Sequence, residues 1–148
     1  MSAPNIDANT PRSQGLYDVA TRRNDIIYVS GMTPRKAGAL IHTGQIDPDK
    51  SIDEYSQAVR QAAGNALAAA ATQLREGEII CEVVSLTVYV NAPVGFNDHS
   101  RIADFASAYF RDNLGQKGVG SRTAIGVSSL PSNAPVELQV IVSVCLSG

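Results

Sequence analysis

Few residues of this chain invite a chemical reading, and two of them share one stretch, SRTAIGVSSLPSNAPVELQV, residues 121–140. Arg122 opens one alternating apolar run, Glu137 sits in the next, and no other residue between them is charged. Arginine presents a planar fork that takes a carboxylate through two parallel hydrogen bonds, and it keeps its charge when partly buried. A glutamate can hold or deprotonate a water, and backbone N–H groups at a tight turn add further donors. Tyr17, and the Ser30–Gly31 turn that closes the run DIIYVSG, could line such a site. The set suits a small carboxylate ligand. From the residues alone, a structural Arg122–Glu137 ion pair at an interface edge is the plainer account of the two charges, and Tyr17 alone reads as packing.

Other chemistries lack their residues. His42 and His99 are isolated, without H-x-x-x-H or similar spacing, so no metal is expected. Nothing resembles a nucleophile elbow, and His99, near a helix start, reads as a surface or capping residue. GQKGVG (115–120) fits neither the G-x-G-x-x-G fingerprint nor the P-loop and reads as a flexible connector. A net charge of -2, with Lys and Arg scattered, lacks the electrostatic footprint of a nucleic-acid binder. No run approaches the roughly 18 apolar residues of a membrane span. MSAPNIDANTPRSQ has neither a basic nor an apolar leader segment, so residues 1–14 are expected to be a loose polar arm and the protein to be cytoplasmic. Cys81 and Cys145 each lie in an apolar run without a C-x-x-C spacing and read as reduced core residues.

These side chains must be positioned by a scaffold, and 148 residues suit one domain, here residues 15–148. GLYDVA is expected to pair with DIIYVSG through a TRRND loop, and ALIHTGQI (39–46) to add a short strand or arm. Residues 51–75 form a helix, opened by a Ser51–Glu54 capping box and striped by Ile52, Tyr55, Val59, Ala62, Ala66, Ala70 and Leu74. Gly64 within it implies a close contact. IICEVVSLTVYV (79–90) is the strongest strand, with Val84, Leu86, Val88 and Val90 on one face and Val83, Ser85, Thr87 and Tyr89 on the other. A second helix over 97–114, capped by Asn97 or Asp98, buries Ile102, Phe105, Ala106 and Tyr109. TAIGVSS and VELQVIVSVCL then form a hairpin around LPSNAP. One row of the last strand is apolar, Val136 to Val144. The other, Glu137, Gln139, Ile141, Ser143 and Cys145, is too polar for a core and too apolar for open water, which suits a subunit interface. The pattern argues for an α+β domain with its helices on one side of the sheet.

The chain from Gly15 to about Val144 resembles the Rid superfamily, also called the YjgF family. The matching pieces are Gly15-x-Tyr17, IIYVSG with Ser30 and Gly31, the Ala-rich helix with Asn65, TVYV followed by Phe96, and SRTAIGVSSLP followed by VELQV. The segment FNDHSRIADFAS is similar to a less characterised branch. The resemblance implies a chorismate-mutase-like fold, with a mixed sheet and two helices on one face. It also implies a homotrimer with sheets turned inward and ligand sites in the clefts between subunits. The implied reaction is hydrolysis of small enamine or imine acids, such as 2-aminoacrylate, to 2-keto acids and ammonia, without metal or cofactor. Arg122 would bind the substrate carboxylate and Glu137 would position water. Tyr17, Ser30 and the backbone at Gly31 would line the site, and Ala124 and Ser100 would stand where the family's motif carries other site residues. Two alternatives are a non-catalytic trimer that binds small carboxylates, as a sensor or chaperone, and the ribonuclease activity that gave some relatives their name; the acidic composition argues against the ribonuclease.

Overall fold

In the computed structural model, which describes residues 9–148, the apolar runs become strands β1 (Ala20–Arg23), β2 (Ile26–Val29), β5 (Glu78–Asn91), β6 (Ser121–Val127) and β7 (Val136–Leu146). Two further short strands, β3 (Arg35–Lys36) and β4 (Ala39–Leu40), make a separate hairpin, and the helices are α1 (Ser56–Ala71) and α2 (His99–Leu114). The five-stranded sheet has the order β1-β2-β7-β5-β6. It is mixed: β5 runs parallel to β6 and antiparallel to β7. The part of the N-terminal arm that falls on residues 1–8 lies outside the described residues.

Both helices cover one face, α1 over β2 and β7, α2 over β5 and β6. Ile27, Val29, Val88, Val90 and the row Val136, Leu138, Val140 and Val142 are buried there against Val59, Ala62, Ala66 and Ala70 of α1 and Ile102, Ala106 and Phe110 of α2. Small α1 side chains bring that helix close to the strands, and each large buried side chain contributes about 1.5–3 kcal/mol. Among the described residues no helix covers the opposite face, which leaves Tyr28, Val84 and Ile125 more than two-fifths exposed.

Several expectations are corrected. β6 and β7 do not form a hairpin, because β5 lies between them. A 14-residue strand needs partners along both edges, and the segment between β6 and β7 crosses its end. Asn91, buried there, stitches the crossing: its N–H donates to Pro135 O at 2.9 Å and its Nδ2 to Ala134 O at 3.0 Å. Irregularities in the β5–β7 register at Ile80/Glu82 and Val83/Ser85 swap two neighbours, so Val83 is buried and Val84 exposed. The buried stripe of α2 includes Ala103 and Phe110, with Phe105 and Tyr109 only partly covered. Thr21 to Arg23 belong to β1, leaving Asn24 and Asp25 for the turn. GQKGVG is an ordered 3₁₀ turn whose Gly118 and Gly120 press on the backbone of Phe110 and Val83. The contact expected at Gly64 is present, since a Cβ there would stand 3.0 Å from the Tyr109 hydroxyl.

Cys81 and Cys145 are not reduced core residues. Register places Ile79 opposite Cys145, and the adjoining bulge turns Cys81 toward it. The two form a disulfide across β5 and β7 with Cα atoms 5.6 Å apart, both half-buried. A sequence separation of 64 residues gives no hint of that neighbourhood.

Candidate functional site

Strand register decides which polar side chains can meet. Glu137 pairs with Tyr89 on the open face of the sheet, whereas Arg122 pairs with buried Leu86 on the helix face. Their strands are separated by β5, about 10 Å at the usual strand spacing. The Arg122–Glu137 ion pair is therefore absent, and the residues expected in one site divide into two groups.

The first group gathers Tyr17, Ser30, Gly31 and Glu137. A two-bond bridge between Met32 and Leu138, at 2.7 and 2.9 Å, locks the turn after β2 onto β7, bringing Gly31 beside Glu137. The Glu137 carboxylate lies over Gly31, where any Cβ would collide with it. Ser30 Oγ donates to Asp18 O at 2.6 Å and Ser30 N–H to Val19 O, fixing the segment that carries Tyr17. The Tyr17 hydroxyl accepts from Gln14 N–H at 3.1 Å. A cleft of about 360 Å³ opens here, lined by Tyr17, Gly31, Thr33, Arg35 and Asn65 together with residues 9–12. Burial pushes the Glu137 carboxyl above the ordinary carboxylate range.

Asn65 has a part that sequence reading did not assign. Buried in α1, it donates from Nδ2 to Thr33 O at 3.0 Å and Arg35 O at 2.8 Å, and its Oδ1 accepts from Gln61 Nε2. A fully bonded buried amide holds the cleft wall against the helix. Asn65 stood out in the sequence as a polar residue inside an alanine stripe and as part of the family resemblance, but neither gave it this role.

The second group stands at the sheet edge, between α2 and β6. Arg122 Nη1 donates to Asp104 Oδ1 at 2.7 Å and Ser107 Oγ at 3.1 Å, while Nη2 donates to Ser100 Oγ at 2.7 Å and Ser100 O at 3.3 Å. Ser100, Asp104 and Ser107 recur at i, i+4 and i+7, so a helical-spacing reading of polar residues could have found this trio. Ala124 follows Arg122 on the same row of β6, opposite Val88. A groove of about 460 Å³ runs past Arg122, Asp104, Ser107 and Arg111. The Arg122 fork is thus aimed where a carboxylate is held. Because Asp104 is largely exposed, that ion pair is weak enough for another carboxylate to compete for the fork. Among the described residues no group of three His, Cys, Asp or Glu side chains converges as a metal would require, and no helix is long and apolar enough to cross a membrane.

Two helices on one face of a five-stranded mixed sheet, with the described polar residues split between a central cleft and an edge groove, define a small α+β fold with two candidate half-sites. Residues 7–144 match the family described as Endoribonuclease L-PSP, so the chain belongs to that family, the Rid or YjgF superfamily. Protein TCP17 of Trypanosoma cruzi is 30% identical over 117 residues, covering 78% of this chain and 73% of that protein. A 2-iminobutanoate/2-iminopropanoate deaminase of Dermatophagoides farinae is 26% identical over 132 residues, covering 89% and 88%. Among solved structures, Atu1372 of Agrobacterium tumefaciens, described as of unknown function, superposes with a TM-score of 0.78 at 30% identity over 88% of this chain and 82% of that one.

Proposed function

We propose that this protein hydrolyses small enamine or imine carboxylic acids to 2-keto acids and ammonia, without a cofactor. The reaction takes place in clefts where the Arg122 group of one copy meets the Tyr17–Ser30–Gly31–Glu137 group of another. The carrying observation is the division of the site: a cationic fork on one edge and a half-buried carboxyl elsewhere, on opposite faces of one sheet. Each group lacks what the other offers, and a homotrimer with open sheet faces turned inward would join them while covering Tyr28, Val84 and Ile125. The deaminase relative supports the reaction class.

The chemistry asks little of the protein. An enamine protonated on carbon becomes an iminium whose carbon is already electrophilic, so a bound carboxylate, a held water and a proton path suffice. Arg122 supplies the first and Glu137 the second; its raised pKa suits a group that takes and returns a proton. The test is to generate 2-iminobutyrate in situ and follow keto-acid release alongside solution mass. A trimer whose rate exceeds the spontaneous one, and an Arg122→Ala variant that does not, are the expected results. A second reading, a non-catalytic carboxylate-binding trimer, draws on the hold Asp104 already has on Arg122; it prevails if wild type binds 2-oxobutyrate but adds nothing to the spontaneous rate.

A further inference from the structure

We propose that His99 is a catalytic proton-transfer residue beside the Arg122 fork, which bonds the adjacent Ser100, an inference that rests on the deaminase reading. Its ring is held by packing alone. It stands edge-on to Phe96 at 5.1 Å between centroids, and it overlies Gly126, where an added Cβ would meet Nε2 at 2.5 Å. No described residue hydrogen-bonds either imidazole nitrogen, and none is buried beyond solvent. A histidine this closely seated, yet with both nitrogens unspent, is oriented for something other than capping.

The row on β6 places it. Arg122, Ala124 and Gly126 face α2 together, opposite Leu86, Val88 and Val90, at steps of about 6.6 Å. His99 stands over the Gly126 end and the Arg122 fork over the other, leaning to Ser100, the residue next to His99. Between them the row carries only the methyl of Ala124, partly buried against the core. A carboxylate on Arg122 therefore directs the rest of a three- or four-carbon acid toward the imidazole. The charged groups around His99 are Asp98, Arg101 and Asp104 on or beside its own helix, Arg122 on β6, and Lys50 and Asp53 across the shallow groove on the Phe96 side.

The step balances with water as sole co-reactant. For 2-aminoacrylate, the imidazolium N–H gives its proton to the CH₂ carbon, the C=C pair forms that C–H bond, and the nitrogen lone pair makes the C=N⁺ bond. Water adds to C2, and the proton it sheds returns to His99. Collapse of the carbinolamine breaks C–N, its hydroxyl proton passing through the Glu137 carboxyl of a second copy to the departing nitrogen. The products are pyruvate and ammonia, with His99 and Glu137 restored.

The test uses the assembled full-length protein, with 2-aminoacrylate formed in situ. His99→Gln is expected to lower kcat/KM about 100-fold, with the melting temperature and 2-oxobutyrate binding unchanged. His99→Ala should recover rate, saturably, with added imidazole, and Gly126→Ala, which displaces the ring without touching Arg122, should lower the rate in the same way. A wild type that is active while His99→Gln keeps its rate, or a His99→Ala variant that added imidazole does not rescue, overturns this inference and leaves the deaminase reading standing. A wild type without activity overturns both.

Discussion

Arg122 and Glu137 point away from each other through one sheet, the first registered on Leu86 and the second on Tyr89 of the strand between them. If copies of the chain share a cleft, the two substitutions damage different halves of it. Arg122→Ala and Glu137→Gln are each expected to bring keto-acid release down to the spontaneous rate. Unfolding and refolding them together one to one should return about a quarter of the wild-type rate, since random mixing leaves that share of clefts with both groups intact. No recovery in a mixture shown by mass to contain both chains would place the two residues in separate sites.

Two glycines separate site geometry from stability. A Cβ at Gly31 meets only the carboxylate end of Glu137, a flexible group that can swing aside. Gly31→Ala should therefore displace Glu137, lowering activity with little change in melting temperature. A Cβ at Gly120 meets the Val83 backbone at the β5 bulge, which cannot give way cheaply. Gly120→Ala should lose about 1–3 kcal/mol of stability, measured by urea unfolding. Equal losses from both would contradict the contact geometry.

Most elements were legible because their hydrophobic period is local: the α1 stripe and the apolar row of β7 fall where their spacing puts them. What local pattern could not carry was pairing. The short segment between the last two strands reads as a hairpin until β5 claims both of them, and the bulge that exchanges Val83 for Val84 leaves no mark in composition. The candidate residues were chosen by type, but their partition between two faces follows from strand order and register. Asp104 and the tethering role of Asn65 escaped because each acts through a partner more than 15 residues away.

Arg22 was expected in a loop. It faces inward from β1, forming a bidentate pair with Glu78 at 2.7 Å for both bonds and donating to Gln73 O just beyond the end of α1. The Arg22 hydrogen bonds, then the Arg75 N–H, hold the Glu78 carboxyl down to about 2. Since the unfolded chain takes up that proton at a higher pH, the pair's stabilisation is complete above the ordinary carboxylate range. It is lost as pH falls from there through about 2. Glu78→Gln should accordingly be less stable than wild type at neutral pH, and the gap in urea midpoint should close on acidification; a gap constant with pH would mean the carboxylate contributes nothing through its charge.

The disulfide offers a second lever on the same sheet. Cys81 and Cys145 clasp the central pair β5 and β7 near the end remote from Glu137 and Gly31, and they lie on the open face rather than in the core. Closing a loop of this length restricts the unfolded chain and contributes about 2–4 kcal/mol. Dithiothreitol, or Cys145→Ser, should lower the melting temperature and let Cys81 react with iodoacetamide. Because neither cysteine lines the cleft or the groove, the rate per assembled cleft at low temperature should be unchanged. A loss of activity in parallel with reduction, in protein that stays folded and assembled, would mean that the clasp sets the spacing of the two half-sites as well as the stability of the sheet.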